Sequence, residues 1–153
     1  MYFYNLIKEI ASKSDVELYI DMDGVIAAYD IGNNPYDFAN KRPLTENIAK
    51  IEKVSEIENV TLHILSICRE KNQIEDKNNW LDKNAPFFKQ ENRVIISREL
   101  HDWKSAKDLK MEFIKNLNKD KKVVLVDDDN EILKTIHENL KDVIVLQDSE
   151  LVD

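Results

Sequence analysis

Three residue types are scarce in this chain, which has two glycines, three prolines and one cysteine in 153 residues. So few glycines exclude the glycine-rich phosphate loops GxGxxG and GxxxxGK[ST]. The single cysteine, Cys68, excludes a disulfide framework and a zinc site built from several cysteines. The apolar runs are no longer than a β-strand, so the sequence predicts no membrane-spanning segment.

Negative charge is in excess, with 30 acidic against 22 basic residues and a net charge of −8. Because no broad basic field is expected, this balance argues against nucleic acid, and duplexes above all, as a partner. A phosphate ligand needs only a local positive site or a metal. The composition is typical of one soluble domain over residues 1–153. Lys8 and Glu9 interrupt any signal-peptide core, so we expect a cytoplasmic protein, with a homo-oligomer left open.

Five apolar runs, most of them rich in β-branched residues, alternate with segments of helical periodicity. Such runs are typical of strands covered on both faces; they span residues 18–20, 60–65, 94–96, 123–126 and 143–146. An extra amphipathic helix is expected at about residues 2–13, and Ser105 with Asp108 forms a candidate helix cap. This order predicts a Rossmann-like three-layer α/β/α sandwich with a mainly parallel five-stranded sheet.

Acidic residues directly follow two of the predicted strands. The first strand runs into DMDG at residues 21–24, the fourth into DDD at residues 127–129, and Ser66 lies near the end of the second. Ligands of open parallel sheets bind at the carboxyl ends of the strands, so these groups should meet at one edge. Crowded carboxylates raise one another's pKa, and a hard cation such as Mg²⁺ would relieve the repulsion. Each motif alone also fits a turn or a helix cap, but their joint placement indicates a site.

These motifs resemble those of the haloacid dehalogenase (HAD) superfamily of phosphotransferases. DMDGV at residues 21–25 resembles its first motif, LHILS at 62–66 its second, and VVLVDD at 123–128 its acidic fourth. The resemblance covers roughly residues 18–146 and implies phosphomonoester hydrolysis. Within the superfamily, residues 65–66 followed by 76–83, which contain WLDK, resemble the 5′(3′)-deoxyribonucleotidase type.

The resemblance implies catalytic roles for particular residues. Asp21 would attack phosphorus as the nucleophile and form an aspartyl-phosphate. Asp23 would protonate the leaving oxygen and then deprotonate the attacking water. A lysine between the second and fourth motifs would neutralise the phosphate; Lys104 is the first candidate and Lys107 the alternative.

The same resemblance implies the metal and the phosphate contacts. Mg²⁺ would be held by the Asp21 carboxylate, the Asp23 backbone carbonyl and Asp127 or Asp128. The phosphoryl oxygens would be held by the Ser66 hydroxyl and nearby backbone groups, for which the candidate positions are Met22, Gly24 and Ile67.

The spacing of the motifs predicts a minimal cap or none. Residues 24–59 must already hold one helix, so a flap at about residues 27–43 is the most that this interval can add. Its rings can either stack on a base or pack on the core; they are Tyr29, Tyr36 and Phe38. Three arginines can either hold a second anionic group or form surface ion pairs; they are Arg42, Arg69 and Arg98.

We therefore expect a Mg²⁺-dependent hydrolase of a nucleotide or another small phosphate ester. Two alternatives stay open: a catalytically silent HAD-like binding protein, and a phosphatase acting on a protein or a nucleic-acid end. KVVLVDDDN at residues 122–130 also resembles the opening of a response-regulator receiver domain. Too little chain follows it for the remaining strands of a receiver.

Overall fold

The computed structural model describes residues 2–152, so Met1 and Asp153, the ends of the expected domain, lie outside the described residues. Helices and strands alternate in the predicted order. The helices are α1 (Tyr2–Ala11), α2 (Thr45–Val54), α3 (Asn72–Asn84), α4 (Ala106–Lys115) and α5 (Asn130–Asn139). The strands are β1 (Val16–Ile20), β2 (Val60–Cys68), β3 (Arg93–Ser97), β4 (Lys122–Asp127) and β5 (Ile144–Gln147). None of the helices in this range has the length and apolar character needed to cross a bilayer.

All five strands are parallel and lie in the order β3-β2-β1-β4-β5, which confirms the predicted three-layer fold. The chain moves from β1 outward to β2 and β3, then returns to the other side of β1 for β4 and β5. The strand order therefore reverses at β1, the place where ligands bind in open α/β sheets. Ile20 pairs with Ile64 of β2 and with Val126 of β4, so Asp21 follows β1 between the ends of both neighbours.

Strict alternation of side chains along the strands divides the core into two layers. Leu18 and Ile20 of β1 pack with α1, α2 and α3 on one face of the sheet. Tyr19, between them, packs with α4 and α5 on the other face. The two layers explain why the runs in β1 and β4 are apolar throughout, as expected for strands buried on both sides.

Two side chains fix where the last two helices begin. The Ser105 Oγ accepts the Asp108 backbone N–H at 3.1 Å, which confirms the predicted cap of α4. The Asp129 carboxylate accepts the N–H groups of Glu131 and Ile132 at 2.9 and 3.2 Å, at the start of α5. Asp129 is therefore a helix cap, while the two aspartates before it are free for another role.

The segment between β1 and α2 forms a flap with a single 3₁₀ turn, Phe38–Asn40. Its base is closed where the Ala28 N–H donates to the Arg42 carbonyl at 2.9 Å. Its middle is tied to α3, because Phe38 is buried edge-on against Trp80, with 5.5 Å between the ring centroids. The 3₁₀ turn of the flap is thus anchored on α3, while residues 31–37 before it are exposed.

Candidate active site

The centre of the site is a buried ammonium group shared by two aspartates. Lys110 of α4 places its Nζ 2.9 Å from Asp21 Oδ1 and 2.5 Å from Asp127 Oδ2. All three side chains are buried, and that of Lys110 is only 3% exposed. A buried charge is costly unless it is paired, so this contact joins the ends of β1 and β4 as well as orienting Asp21.

Burial and neighbouring charge shift the titration of these groups. Burial raises the pKa of Asp21 well above its usual range; Lys110 opposes that rise and the charge of Asp127 adds to it. For Lys110, burial would lower the pKa, but the two carboxylates outweigh it and the net shift is upward. Lys110 therefore stays charged, and its single ammonium group is shared by two carboxyl groups.

Asp128 adds a third carboxylate to this group. One oxygen each of Asp21, Asp127 and Asp128 lies within 4.8 Å of the others. Burial, followed by the charge of Asp127, raises the pKa of Asp128 to about 6. Three hard oxygen donors in excess of positive charge fit a divalent cation such as Mg²⁺. The residues present therefore match the metal that the sequence analysis expects.

Gly24 leaves the space that Asp128 occupies. Its φ of +82° lies in the left-handed region that favours glycine, and a Cβ there would come within 2.0 Å of Asp128 Oδ2. One of only two glycines in the chain thus stands where both the backbone turn and the carboxylate require it.

Asp23 faces a second, separate pair of cations. Its carboxylate is ion-paired with Lys41 of the flap and, at 3.1 Å, with Lys77 of α3. Burial alone would raise the pKa of Asp23, but Lys77 and Lys41 outweigh it and the net shift is downward. The side chain of Asp23 is therefore held by Lys41 and Lys77 and is not one of the three grouped carboxylates. The metal contact expected for its backbone carbonyl stays a prediction.

Lys77 also connects Asp23 to the end of β2. Its Nζ lies 2.6 Å from Ser66 Oγ and 3.1 Å from the Ile67 carbonyl oxygen, and it donates to both. Ser66 is fully buried and close to Asp23 through this lysine. The structure thus brings the serine of the second motif to the same edge of the sheet as the aspartates.

Neither of the two lysines predicted from the sequence, Lys104 and Lys107, lies at Asp21 in the structure. Lys104 precedes the cap of α4 and pairs with Glu112 at 3.3 Å, while Lys107 pairs with Glu131 at 3.0 Å. Both side chains are exposed, Lys104 in the segment before α4 and Lys107 on the first turn of that helix. Lys110 takes the position at Asp21 instead.

The two buried lysines carry a signal in the sequence. Lys110 lies four residues after Ala106 and four before Ile114, on the apolar face of α4. Lys77 stands three residues after Ile74 and four before Leu81, on the apolar face of α3. A lysine on a helix face that packs against a sheet must find a buried partner, so helical phase identifies both.

The turn after β1 uses most of its own backbone groups. The Met22 carbonyl accepts the N–H groups of residues 25–27 at 2.9–3.2 Å, and its side chain is buried in the core. The Gly24 N–H donates to the Ala27 carbonyl at 2.8 Å. The substrate-binding roles expected for Met22, Gly24, Ser66 and Ile67 stay predictions.

Searches of family models and of curated proteins found no match. Solved structures do resemble this chain. Chains of two structures of the Pnkp1/Rnl/Hen1 complex, described in one of them as an RNA repair complex, match with TM-scores of 0.67 and 0.66 at 19% and 18% identity. The matches cover 87% and 89% of this chain and 45% and 43% of those chains, so it spans less than half their length.

A third structure gives the fold its class. The HAD domain of the effector protein Lem4 from Legionella pneumophila matches with a TM-score of 0.52 at 14% identity, over 86% of this chain and 85% of that one. The present chain therefore has a HAD-like α/β fold. The narrower resemblance to 5′(3′)-deoxyribonucleotidases stays a prediction.

Proposed function

We propose that this chain is a metal-dependent phosphomonoester hydrolase that works through an aspartyl-phosphate at Asp21. The proposal is supported by two separate groups of charged side chains on either side of the turn after β1. On one side, Asp21 shares the buried Lys110 with Asp127 and lies beside Asp128. On the other side, Asp23 and Ser66 share the buried Lys77. This arrangement supplies a nucleophile, a separate proton carrier and cations for a phosphoryl group.

The nucleophile is oriented before substrate arrives. Lys110 holds Asp21 Oδ1, which leaves the other carboxylate oxygen to attack phosphorus as the bond to the leaving oxygen breaks. A divalent cation at the three carboxylates would offset the repulsion between an anionic nucleophile and an anionic substrate. Ser66 and Lys77 would hold phosphoryl oxygens from the β2 side.

Asp23 carries the proton in both halves of the reaction. The leaving oxygen takes a proton from Asp23, and the water that later attacks the aspartyl-phosphate returns one, which releases phosphate and restores the Asp21 carboxylate. Lys41 and Lys77 keep Asp23 ionised without substrate. A bound phosphate group would compete for these ammonium groups, and Asp23 could then take up the proton that it donates.

The space beside Asp23 fits a small leaving group best. A pocket of about 280 Å³ adjoins Asp23 and Lys77 and is walled by the flap. We therefore propose a nucleotide or another small phosphomonoester as the substrate. The similarity in fold to chains of an RNA repair complex favours, as a second candidate, the phosphate at a nucleic-acid end.

The proposal is tested by hydrolysis of p-nitrophenyl phosphate with and without Mg²⁺. Wild type should turn over only with the metal, and Asp21→Asn should lose activity by at least about 1000-fold because the nucleophile is gone. Asp142→Asn, which alters an exposed aspartate away from the site, is the control and should match wild type. A folded, metal-loaded wild type without turnover would contradict the proposal and favour the silent binding protein.

A further inference from the structure

Arg69 differs from the other two arginines considered above. Arg42 pairs with Asp30 at 3.0 Å, and the Arg98 guanidinium donates to backbone carbonyls. The Arg69 guanidinium instead lies between two rings, with its Cζ 5.7 Å from the Tyr36 centroid and 5.9 Å from the Trp103 centroid. Within residues 2–152 it has no carboxylate or hydrogen-bond partner, so its N–H groups are available to an outside anion.

The backbone that positions Trp103 is strained. Asp102 and Trp103 have φ values of 54° and 57°, in the left-handed region that residues other than glycine rarely adopt. Arg98 holds this backbone on both sides: its carbonyl accepts the Trp103 N–H at 2.8 Å and its Nη2 donates to the Trp103 carbonyl at 2.9 Å. The result is a large ring that is 46% exposed. Strained backbone that presents an apolar ring to solvent points to binding rather than to packing.

The three side chains, named here the Arg69 cluster (Tyr36, Arg69 and Trp103), adjoin the candidate active site. Asp23 and Lys77 line the same pocket as Tyr36 and Arg69. Lys77 is buried whereas Tyr36 is 52% exposed, so the pocket runs from the reacting groups outward to the Arg69 cluster. A leaving group beside Asp23 and Lys77 would therefore lie in the same pocket as Tyr36 and Arg69.

The chemistry of the Arg69 cluster selects a ligand with a flat face and an oxyanion. Half-exposed rings stack on planar bases, and a guanidinium with free N–H groups binds a phosphate through two hydrogen bonds. A nucleotide unit supplies both features at once. The net charge of −8 argues against a broad basic surface, but a single arginine beside two rings is a local site.

We propose that the Arg69 cluster binds the leaving group as a nucleotide that carries a second phosphate, with the base on a ring and the second phosphate on Arg69. Free nucleoside bisphosphates and the phosphorylated end of a single strand share this chemistry. This proposal rests on the proposed function in one respect, because that function decides which of the two phosphates lies at Asp21. The binding itself can be measured without turnover.

The test uses the two tryptophans and a variant that lacks the nucleophile. Trp80 is 2% exposed whereas Trp103 is exposed, so binding at the Arg69 cluster should quench mainly Trp103 fluorescence. Asp21→Asn is titrated with thymidine 3′-monophosphate, thymidine 5′-monophosphate, thymidine 3′,5′-bisphosphate and oligothymidylate bearing a terminal phosphate. The bisphosphate should bind about 10–100-fold more tightly than either monophosphate, because it adds a charged hydrogen-bonded pair.

Matched variants locate the second phosphate. Arg69→Gln in the Asp21→Asn background should remove the preference for the bisphosphate, whereas Lys71→Gln, which loses an equal charge two residues away, should keep it. Trp103→Phe should abolish the quench. Oligothymidylate bound more tightly than the bisphosphate would identify a strand end as the ligand, and equal affinity would identify the free nucleotide.

Several results would overturn the proposal. They are equal affinity for mono- and bisphosphates, a preference that survives Arg69→Gln, and a phosphotyrosyl peptide that binds as tightly as the bisphosphate. Hydrolysis of p-nitrophenyl phosphate by wild type is measured alongside and tests the proposed function alone. Arg69-dependent binding without that hydrolysis would support the Arg69 cluster and reject the hydrolase.

Discussion

Replacing Lys110 with methionine distinguishes its role from those of Lys104 and Lys107. Methionine has a similar length but no charge, so Lys110→Met leaves the buried carboxylates of Asp21 and Asp127 without their shared ammonium group. Lys104 and Lys107 lie before and on the same helix, but both are exposed and each faces a single glutamate.

The contacts set the expected size of each effect. Removing one partner of a buried ion pair costs about 3–5 kcal/mol, because the remaining charge stays buried and uncompensated. For a chain of this length, that lowers the melting temperature by roughly 6–20 °C. An exposed pair contributes at most about 1 kcal/mol, so Lys104→Met and Lys107→Met should change the melting temperature by only a few degrees.

Thermal unfolding at neutral pH without divalent ions measures the three variants side by side. The loss in Lys110→Met should shrink on acidification, since protonation removes the uncompensated charge, and Mg²⁺ should restore part of it. A Lys104→Met or Lys107→Met variant less stable than Lys110→Met, or three variants that all match wild type, would contradict the role assigned to Lys110.

Four further predictions concern the surroundings of the nucleophile. Gly24→Ala should lower the free energy of unfolding by more than Gly32→Ala, because both glycines have positive φ but only Gly24 has a carboxylate within 4 Å. Chemical denaturation measures both losses, and equal losses would show that the clash with Asp128 is unimportant. Mg²⁺ at a hundred times its Kd should raise the free energy of unfolding by about 2.7 kcal/mol, a gain that calorimetry should find largely absent in Asp128→Asn. The pKa of Asp128 is about 6 in the folded chain and about 3.9 in the unfolded chain, so its ionisation lowers the free energy of unfolding as the pH rises from 4 to 7. Without metal, Asp128→Asn should therefore be more stable than wild type at pH 7 and equally stable at pH 3. Lys77→Met should weaken competitive inhibition by inorganic phosphate by about tenfold or more, and unchanged inhibition would remove Lys77 from the phosphate site.

The sheet and the acidic group were predictable because both follow from local patterns. Apolar runs bounded by charge mark the strands, and parallel strands bring residues 21, 66 and 127 to one edge whatever the rest of the chain does. The register of β1 with β2 and β4 is all that this convergence requires. Asp128 joins because Gly24 leaves room for it.

The lysines were harder because their assignment depends on helical phase and not on order along the chain. Lys104 and Lys107 lie closer to the Ser105 cap, but α4 turns only Lys110 toward the sheet. Lys77 was not expected at all, since the segment around it is very polar and its apolar face is narrow.

The environment of Arg69 depends on contacts between distant segments. Tyr36 comes from the flap, Arg69 from the segment directly after β2, and Trp103 from a left-handed turn that no local pattern marks. These three residues approach one another only once the sheet has placed their loops together.

If Asp21 is phosphorylated during turnover, reductive trapping of the acyl phosphate will detect it. Borohydride added during hydrolysis with Mg²⁺ reduces an acyl phosphate to an alcohol, which converts the aspartate to homoserine. Peptide mass spectrometry should find homoserine at position 21 only when substrate and metal are both present. Continued turnover with Asp21 unmodified, or homoserine at position 23, 127 or 128 instead, would contradict the account.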